Sequence, residues 1–136
     1  MKVLLIEDDI SIFAVICERF AQWNIEVIGP EDFQHIMATF KKEEPQLVII
    51  DIQLPAFDGF HWCREIRLVS KVPILFLSSR DHPMDMVMAM QMGADDFVQK
   101  PFHTEVLIAK VQALLRRAYN YQETVQSDVD KWNGAE

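Results

Sequence analysis

The sequence has no apolar run long enough to cross a bilayer, only two cysteines, and fewer basic than acidic residues, 13 against 21. The first absence excludes a membrane-spanning helix, which needs about 20 apolar residues. The opening run Val3-Leu4-Leu5-Ile6 stops at Glu7-Asp8-Asp9. That is too short for the apolar stretch of a secretory signal, so a cytoplasmic protein without membrane insertion is expected. Cys17 and Cys63 are too few and too far apart for a zinc ribbon or a disulfide framework, and reduced, partly buried thiols are expected instead. His35, His61, His82 and His103 show no metal-ligand spacing and are expected at the surface. A net charge of −8 opposes contact with a phosphate backbone. If the protein regulates DNA, an effector domain outside this chain does the binding. The turn after the first apolar run holds no glycine, which excludes a dinucleotide-binding fingerprint.

What is present fits one globular domain: 136 residues, 50% of them hydrophobic and 25% charged, enough for a single core. Five short apolar runs read as strands: Lys2 to Ile6, Glu26 to Gly29, Leu47 to Asp51, Pro73 to Leu77 and Asp95 to Gln99. Near-continuous hydrophobicity suits parallel strands covered on both faces. Between them lie helical patterns. The first, Ile10 to Gln22, aligns Phe13, Ile16, Cys17 and Phe20. The second takes in Phe33, Ile36, Met37 and Phe40 and ends before Pro45. The third carries Trp62, Ile66 and Val69. The fourth is framed by Pro83 and Gly93. The last starts near Thr104, aligns Leu107, Val111, Leu114 and Leu115, and ends in Arg116-Arg117, favourable at a helix C-terminus. Strict alternation predicts a doubly wound α/β fold, a five-stranded parallel sheet with five flanking helices. Residues 1–119 are expected to form the domain. The polar stretch 120–136, with Trp132 its one large packing residue, reads as a linker or tail.

In such sheets the functional crevice lies outside the carboxyl ends of the strands. The first strand ends in Glu7-Asp8-Asp9, the third in Asp51, the fourth in Ser78-Ser79, and the fifth leads to Lys100-Pro101. Taken singly these are bland: Asp9 is expected to cap the first helix, Asp51 to be a solvated strand-end acid, Lys100 a surface lysine and Ser78 a turn former. Together they make a site. Carboxylates about 4 Å apart repel by roughly 1 to 4 kcal/mol per pair, so unless a cation sits there some would have to stay protonated. Mg²⁺ suits hard oxygen ligands and a phosphate. Asp51 then becomes a candidate acceptor of a phosphoryl group, with the Lys100 ammonium and the Ser78 hydroxyl placed to hold its oxygens.

Leu4-Leu5-Ile6-Glu7-Asp8-Asp9, Asp51-Ile52-Gln53-Leu54-Pro55 with Asp58-Gly59, Leu77-Ser78-Ser79-Arg80, and Gly93-Ala94-Asp95-Asp96-Phe97 with Lys100-Pro101-Phe102 resemble the receiver domains of two-component response regulators, from about residue 2 to residue 118. The resemblance implies a flavodoxin-like receiver fold and phosphorylation of Asp51 by a sensor histidine kinase. It implies Mg²⁺ held by Asp8, Asp51 and the Gln53 carbonyl, with Glu7 helping through water. It also implies a cis Lys100-Pro101 peptide. Ser78 and Phe97 stand at the switch positions, and Phe97 lacks the hydroxyl that a tyrosine would bring. Gln53 and Arg80 are expected to flank the phosphoryl group.

Relatives attached to winged-helix DNA-binding domains pair through the fourth helix, fifth strand and fifth helix, in transcription regulation. On that face this chain offers Met86, Met90, Asp96, Val106, Lys110 and Arg117. Met86 and Val106 stand where relatives have a basic and an acidic residue, so a homodimer with a more apolar contact is expected, Asp96 and Arg117 keeping one ion pair. Methionines at 84, 86, 88, 90 and 92 cannot all be buried on one helix. Val87 and Met90 are expected to face the sheet. Ser79-Arg80-Asp81-His82-Pro83-Met84-Asp85 and Phe60-His61-Trp62-Cys63-Arg64 are similar to the subgroup that answers cell-wall-active peptide antibiotics such as bacitracin. An Asp-nucleophile phosphatase of the haloacid dehalogenase type is the enzyme alternative, but Gln53 stands where that group has its second aspartate. A phosphate-independent interaction domain is the other rival, and the acids and the lysine are all retained here.

Overall fold

A computed structural model describes residues 1–79 and 82–120, the last of these by its backbone alone. Its elements alternate as expected: β1 (Lys2–Ile6), α1 (Ile10–Ala21), β2 (Glu26–Ile28), α2 (Ile36–Glu43), β3 (Leu47–Asp51), α3 (Gly59–Arg67), β4 (Ile74–Ser78), α4 (Pro83–Gln91), β5 (Asp96–Gln99) and α5 (Thr104–Leu115). The strands form one sheet in the order β2-β1-β3-β4-β5, and every neighbouring pair is parallel. The chain reverses its winding between β1 and β3, so the switch-point crevice opens where Ile6 pairs with Ile50.

Alternate side chains of each strand enter two separate cores. Leu4, Ile6, Val48, Ile50 and Phe76 pack with Ile36, Phe40, Phe60 and Ile66 on one face. Val3, Leu5, Leu47, Ile49, Leu75 and Leu77 pack with Ile16, Phe20, Leu107 and Val111 on the other. This double burial explains the unbroken hydrophobic runs of β1, β3 and β4. No helix among the described residues is long and apolar enough to cross a membrane.

The departures from the sequence reading have local causes. Phe33 precedes α2 instead of belonging to it: the Asp32 carboxylate accepts from Gln34 N (2.7 Å) and pairs with the His35 ring (2.8 Å), a turn that competes with helix. Val69 lies beyond α3 and is 58% exposed: the helix closes at Leu68, and Val69 N donates back to the Ile66 carbonyl (3.0 Å) in a tighter last turn. β4 starts after Pro73, which has no N–H to give a ladder. Beyond Leu115 the last helix widens into a π turn, Arg116–Asn120. There Tyr119 Oη donates to the Gln46 carbonyl (2.7 Å).

In α4 the residues turned to the sheet are Asp85 and Ala89, not Val87 and Met90, which are 42% and 46% exposed. With methionine at every second position the apolar pattern carries no phase. The cap sets it instead: His82 Nδ1 accepts from Met84 N (3.1 Å) and Pro83 opens the helix. The small Ala89 then lets the backbone approach the sheet. Residues 121–136, and with them Trp132, lie outside the described residues.

Candidate functional site

Each strand end delivers one functional group, and local chemistry fixes each. After β1, Asp9 caps α1, its carboxylate accepting from Ser11 N (2.9 Å) and Ile12 N (3.1 Å). That leaves Glu7 and Asp8 for the site. Glu7 is buried and Asp8 exposed. Asp51 closes β3 and is 4% exposed; its Oδ1 accepts from Gln53 N (3.1 Å), which orients the carboxylate. Gly59 opens α3 directly against this strand end. A Cβ there would overlap the Asp51 carbonyl oxygen, so only glycine lets α3 start so close behind the acid.

Lys100 reaches the cluster from β5. Its backbone N donates to the Ser78 carbonyl (2.7 Å), and the following Lys100-Pro101 peptide is cis, as expected. Its ammonium donates to Glu7 Oε1 (2.7 Å) and Asp51 Oδ2 (2.9 Å). Burial pushes the Glu7 carboxyl up, against the lowering effect of its hydrogen bond from Lys100. Burial opposes the Lys100 charge as well, but its hydrogen bonds to Glu7 and Asp51 outweigh it and hold the ammonium above the ordinary lysine value.

Carboxylate oxygens of Glu7, Asp8 and Asp51 all lie within 4.8 Å of one another. Three hard oxygen donors this close form a cluster able to hold a metal ion. Ser78 ends β4 fully buried, in register with Gln99. Gln53 stays exposed beside the cluster, and its Oε1 accepts from Ser79 Oγ (2.7 Å). Arg80 lies outside the described residues. Phe97 is half-buried on β5 and packs against the first core.

On the α4, β5 and α5 side, Met86, Met90 and Val106 are exposed, and Arg117 is exposed in the π turn. Lys110 and Asp96 pair within the chain at 3.1 Å.

Two features escaped the sequence reading. Glu7 is engaged directly by Lys100, a pairing set by side-chain reach across the crevice. The other is a largely apolar cleft of roughly 510 Å³ beside Lys100 and Pro101, lined by Ile12, Val15, Phe102 and Ser79. The exposure of Val15 on α1 was its only sequence trace, visible as an apolar residue off the helix stripe.

The comparisons agree with this geometry. The model of the response regulator receiver domain matches residues 3–112. Sensory transduction protein BceR of Halalkalibacterium halodurans is 59% identical over 134 residues, covering 98% of this chain and 58% of that protein. This chain therefore spans little more than half of that relative. The BeF3-activated N-terminal receiver domain of Klebsiella pneumoniae RstA superposes with a TM-score of 0.81 at 30% identity, covering 85% of this chain and 99% of that one. The N-terminal domain of the nisin resistance regulator NsrR, a lantibiotic response regulator, does so with a TM-score of 0.78 at 39% identity, covering 85% and 97%. With the motif-bearing strand ends gathered in one crevice and the family model spanning both cores, the chain belongs to the response regulator receiver domains.

Proposed function

We propose that this chain is the phosphoacceptor half of a cytoplasmic two-component pair, in which a sensor histidine kinase phosphorylates Asp51. In this step an Asp51 carboxylate oxygen bonds to phosphorus as the P–N bond to the kinase histidine breaks and the imidazole leaves. Support comes above all from Lys100, which holds Asp51 at 2.9 Å while also pairing with Glu7. One cation thus sits directly on the acceptor carboxylate.

Asp8, Asp51 and the Gln53 carbonyl would hold Mg²⁺, with Glu7 contributing through water; the clustered hard oxygens suit it. When bound, Mg²⁺ supplies charge neutralisation for the phosphoryl oxygens. Lys100 and the Ser78 hydroxyl hold those oxygens on the protein side. Gln53, exposed beside the cluster, flanks the group and limits water. The domain promotes its own phosphorylation and a slow dephosphorylation, and turns over no other substrate.

Output runs from Ser78 to Phe97 and on to the face made by Met86, Met90, Asp96, Val106, Lys110 and Arg117, where two phosphorylated copies pair. Pairing in turn activates a DNA-binding effector domain that follows the linker at 120–136. The likeness to a lantibiotic response regulator and to BceR supports a role in transcriptional resistance to cell-wall-active peptide antibiotics.

The test is direct. Incubation with Mg²⁺ and a small acyl phosphate is expected to add the mass of one phosphoryl group, stable in acid and labile in base. Asp51→Ala is expected to abolish the increase, and its persistence in that variant would overturn the assignment.

A further inference from the structure

Helix α4 carries its methionines on the outside. A helix advances about 100° per residue, so with Asp85 and Ala89 turned to the sheet, Met84 and Met88 lie on one flank of that seam and Met86 and Met90 on the other. These four are 58%, 44%, 51% and 46% exposed. Met92 and Met37, in contrast, pack against the first core. Asp85 and Ala89 are the buried residues of α4, and Ala89 is the one that joins the first core, so the four exposed thioethers stand outside that core and can change chemistry without opening it.

The two thiols do not compete for an oxidant. Cys63 is buried and Cys17 half-buried, burial raises both above the ordinary thiol value, and the thiolate is the reactive form. Thioether reactivity needs no ionisation, only access.

We propose that Met86 and Met90, on the flank of α4 that belongs to the pairing face, form an oxidative modification site, at which hydroperoxide-class oxidants switch off association through that face. In each event a thioether sulfur gains the distal peroxide oxygen as the O–O bond breaks. The sulfur loses two electrons to become a sulfoxide, and the rest of the peroxide leaves as water from hydrogen peroxide or as the alcohol from an organic hydroperoxide. The product replaces a flexible apolar contact by a strongly dipolar group that must be desolvated to be buried against a partner. Methionine sulfoxide reductases reverse it, which makes the change a switch and not damage. The inference rests on the reading that this face mediates pairing.

The experiment treats the protein with hydrogen peroxide, maps sulfoxides by peptide mass spectrometry, then phosphorylates it with an acyl phosphate and measures sedimentation. The four exposed methionines are expected to oxidise about tenfold faster than Met37 and Met92, in line with access. Phosphoryl incorporation at Asp51 is expected to be unchanged, association lost, and association restored after incubation with the two stereospecific reductases. Equal rates at all six positions, or loss of phosphoryl incorporation, would overturn the site. Persistent pairing of fully oxidised protein, with Met86→Asp monomeric, would overturn the switch and leave the interface standing. Pairing retained in Met86→Asp as well would instead remove the interface on which it rests.

Discussion

Lys100 is held between two carboxylates that burial alone would disfavour, and this sets the pH behaviour of the crevice. Because the Glu7 carboxyl is raised in the folded chain, the folded state keeps a proton that the unfolded chain has released. Its contribution to stability is therefore full below the ordinary glutamate value of 4.5 and is lost as pH rises through the raised folded value. Glu7→Gln avoids that loss. In metal-free protein at neutral pH it is expected to unfold at higher urea, by on the order of 1 kcal/mol, because the amide carries no charge to be stripped of water on burial. The difference from the parent chain is expected to shrink on acidification and vanish below the ordinary glutamate range. A constant difference across pH would exclude Glu7 as its source. Mg²⁺ would offset the mutual repulsion of the clustered Glu7, Asp8 and Asp51 carboxylates. At tenfold its dissociation constant it is expected to stabilise by about 1.4 kcal/mol, a rise in Tm of roughly 4 °C. Asp51→Asn is expected to lose most of that rise in a thermal melt. The residue types of this site were legible because each closes a strand or opens the next loop. The Glu7–Lys100 contact was not, since β1 and β5 are separated in the sheet by two strands and only folded side-chain reach joins their ends.

Strands and helices were legible from hydrophobic period, and what failed was phase and termination. α4 shows why: a helix with methionine all round has no apolar stripe to read, so Asp85 and Ala89 were invisible as its buried side. α3 failed at its end, where Val69 continued the apolar pattern but the helix closes at Leu68, one residue after Arg67. That arginine is a clamp between elements. Its Nε donates to the Gly93 carbonyl (2.9 Å), one terminal nitrogen to the Val72 carbonyl (2.6 Å) and the other to Asp95 Oδ2 (3.0 Å). The same Asp95 oxygen accepts from Ile74 N (2.9 Å). One side chain thus ties the end of α3 to the start of β4 and to the turn before β5. Gly93, at φ 104°, brings its backbone so close that a Cβ would meet Arg67 Nε at 3.0 Å. Arg67→Ala takes the arginine donor from the Gly93 and Val72 carbonyls and leaves Asp95 Oδ2 only its bond from Ile74 N, and is expected to cost about 2 to 4 kcal/mol in urea unfolding. Arg67→Lys is expected to recover little, because a single ammonium cannot serve three acceptors in a planar fork. Full recovery would mean that charge alone holds the corner.

For the whole molecule, a net charge of −8 sets a repulsion between copies that any pairing must overcome. The proposed face meets it with apolar surface. Met86, Met90 and Val106 are all exposed, while Asp96, the acid best placed to reach a partner, is already paired with Lys110 of its own chain at 3.1 Å. An intermolecular bond from Arg117 to Asp96 must therefore compete with an existing one, and exposed pairs of this kind contribute only about 0.2 to 1 kcal/mol. Most of the contact energy then comes from burying thioether and aliphatic area, which salt does not screen. Added salt has opposite effects on the two kinds of interface. Where ion pairs dominate, it weakens association; here it is expected to leave the phosphorylated dimer intact or strengthen it slightly, by screening the repulsion between acidic copies. Sedimentation of phosphorylated protein across a salt series measures this. Met86→Asp adds one more negative charge to each apolar face, and is expected to give monomers at every salt concentration while leaving phosphoryl incorporation at Asp51 unchanged. Dimers that dissociate as salt rises, or that survive Met86→Asp, would show that the ion pairs and not the methionines hold the two copies together.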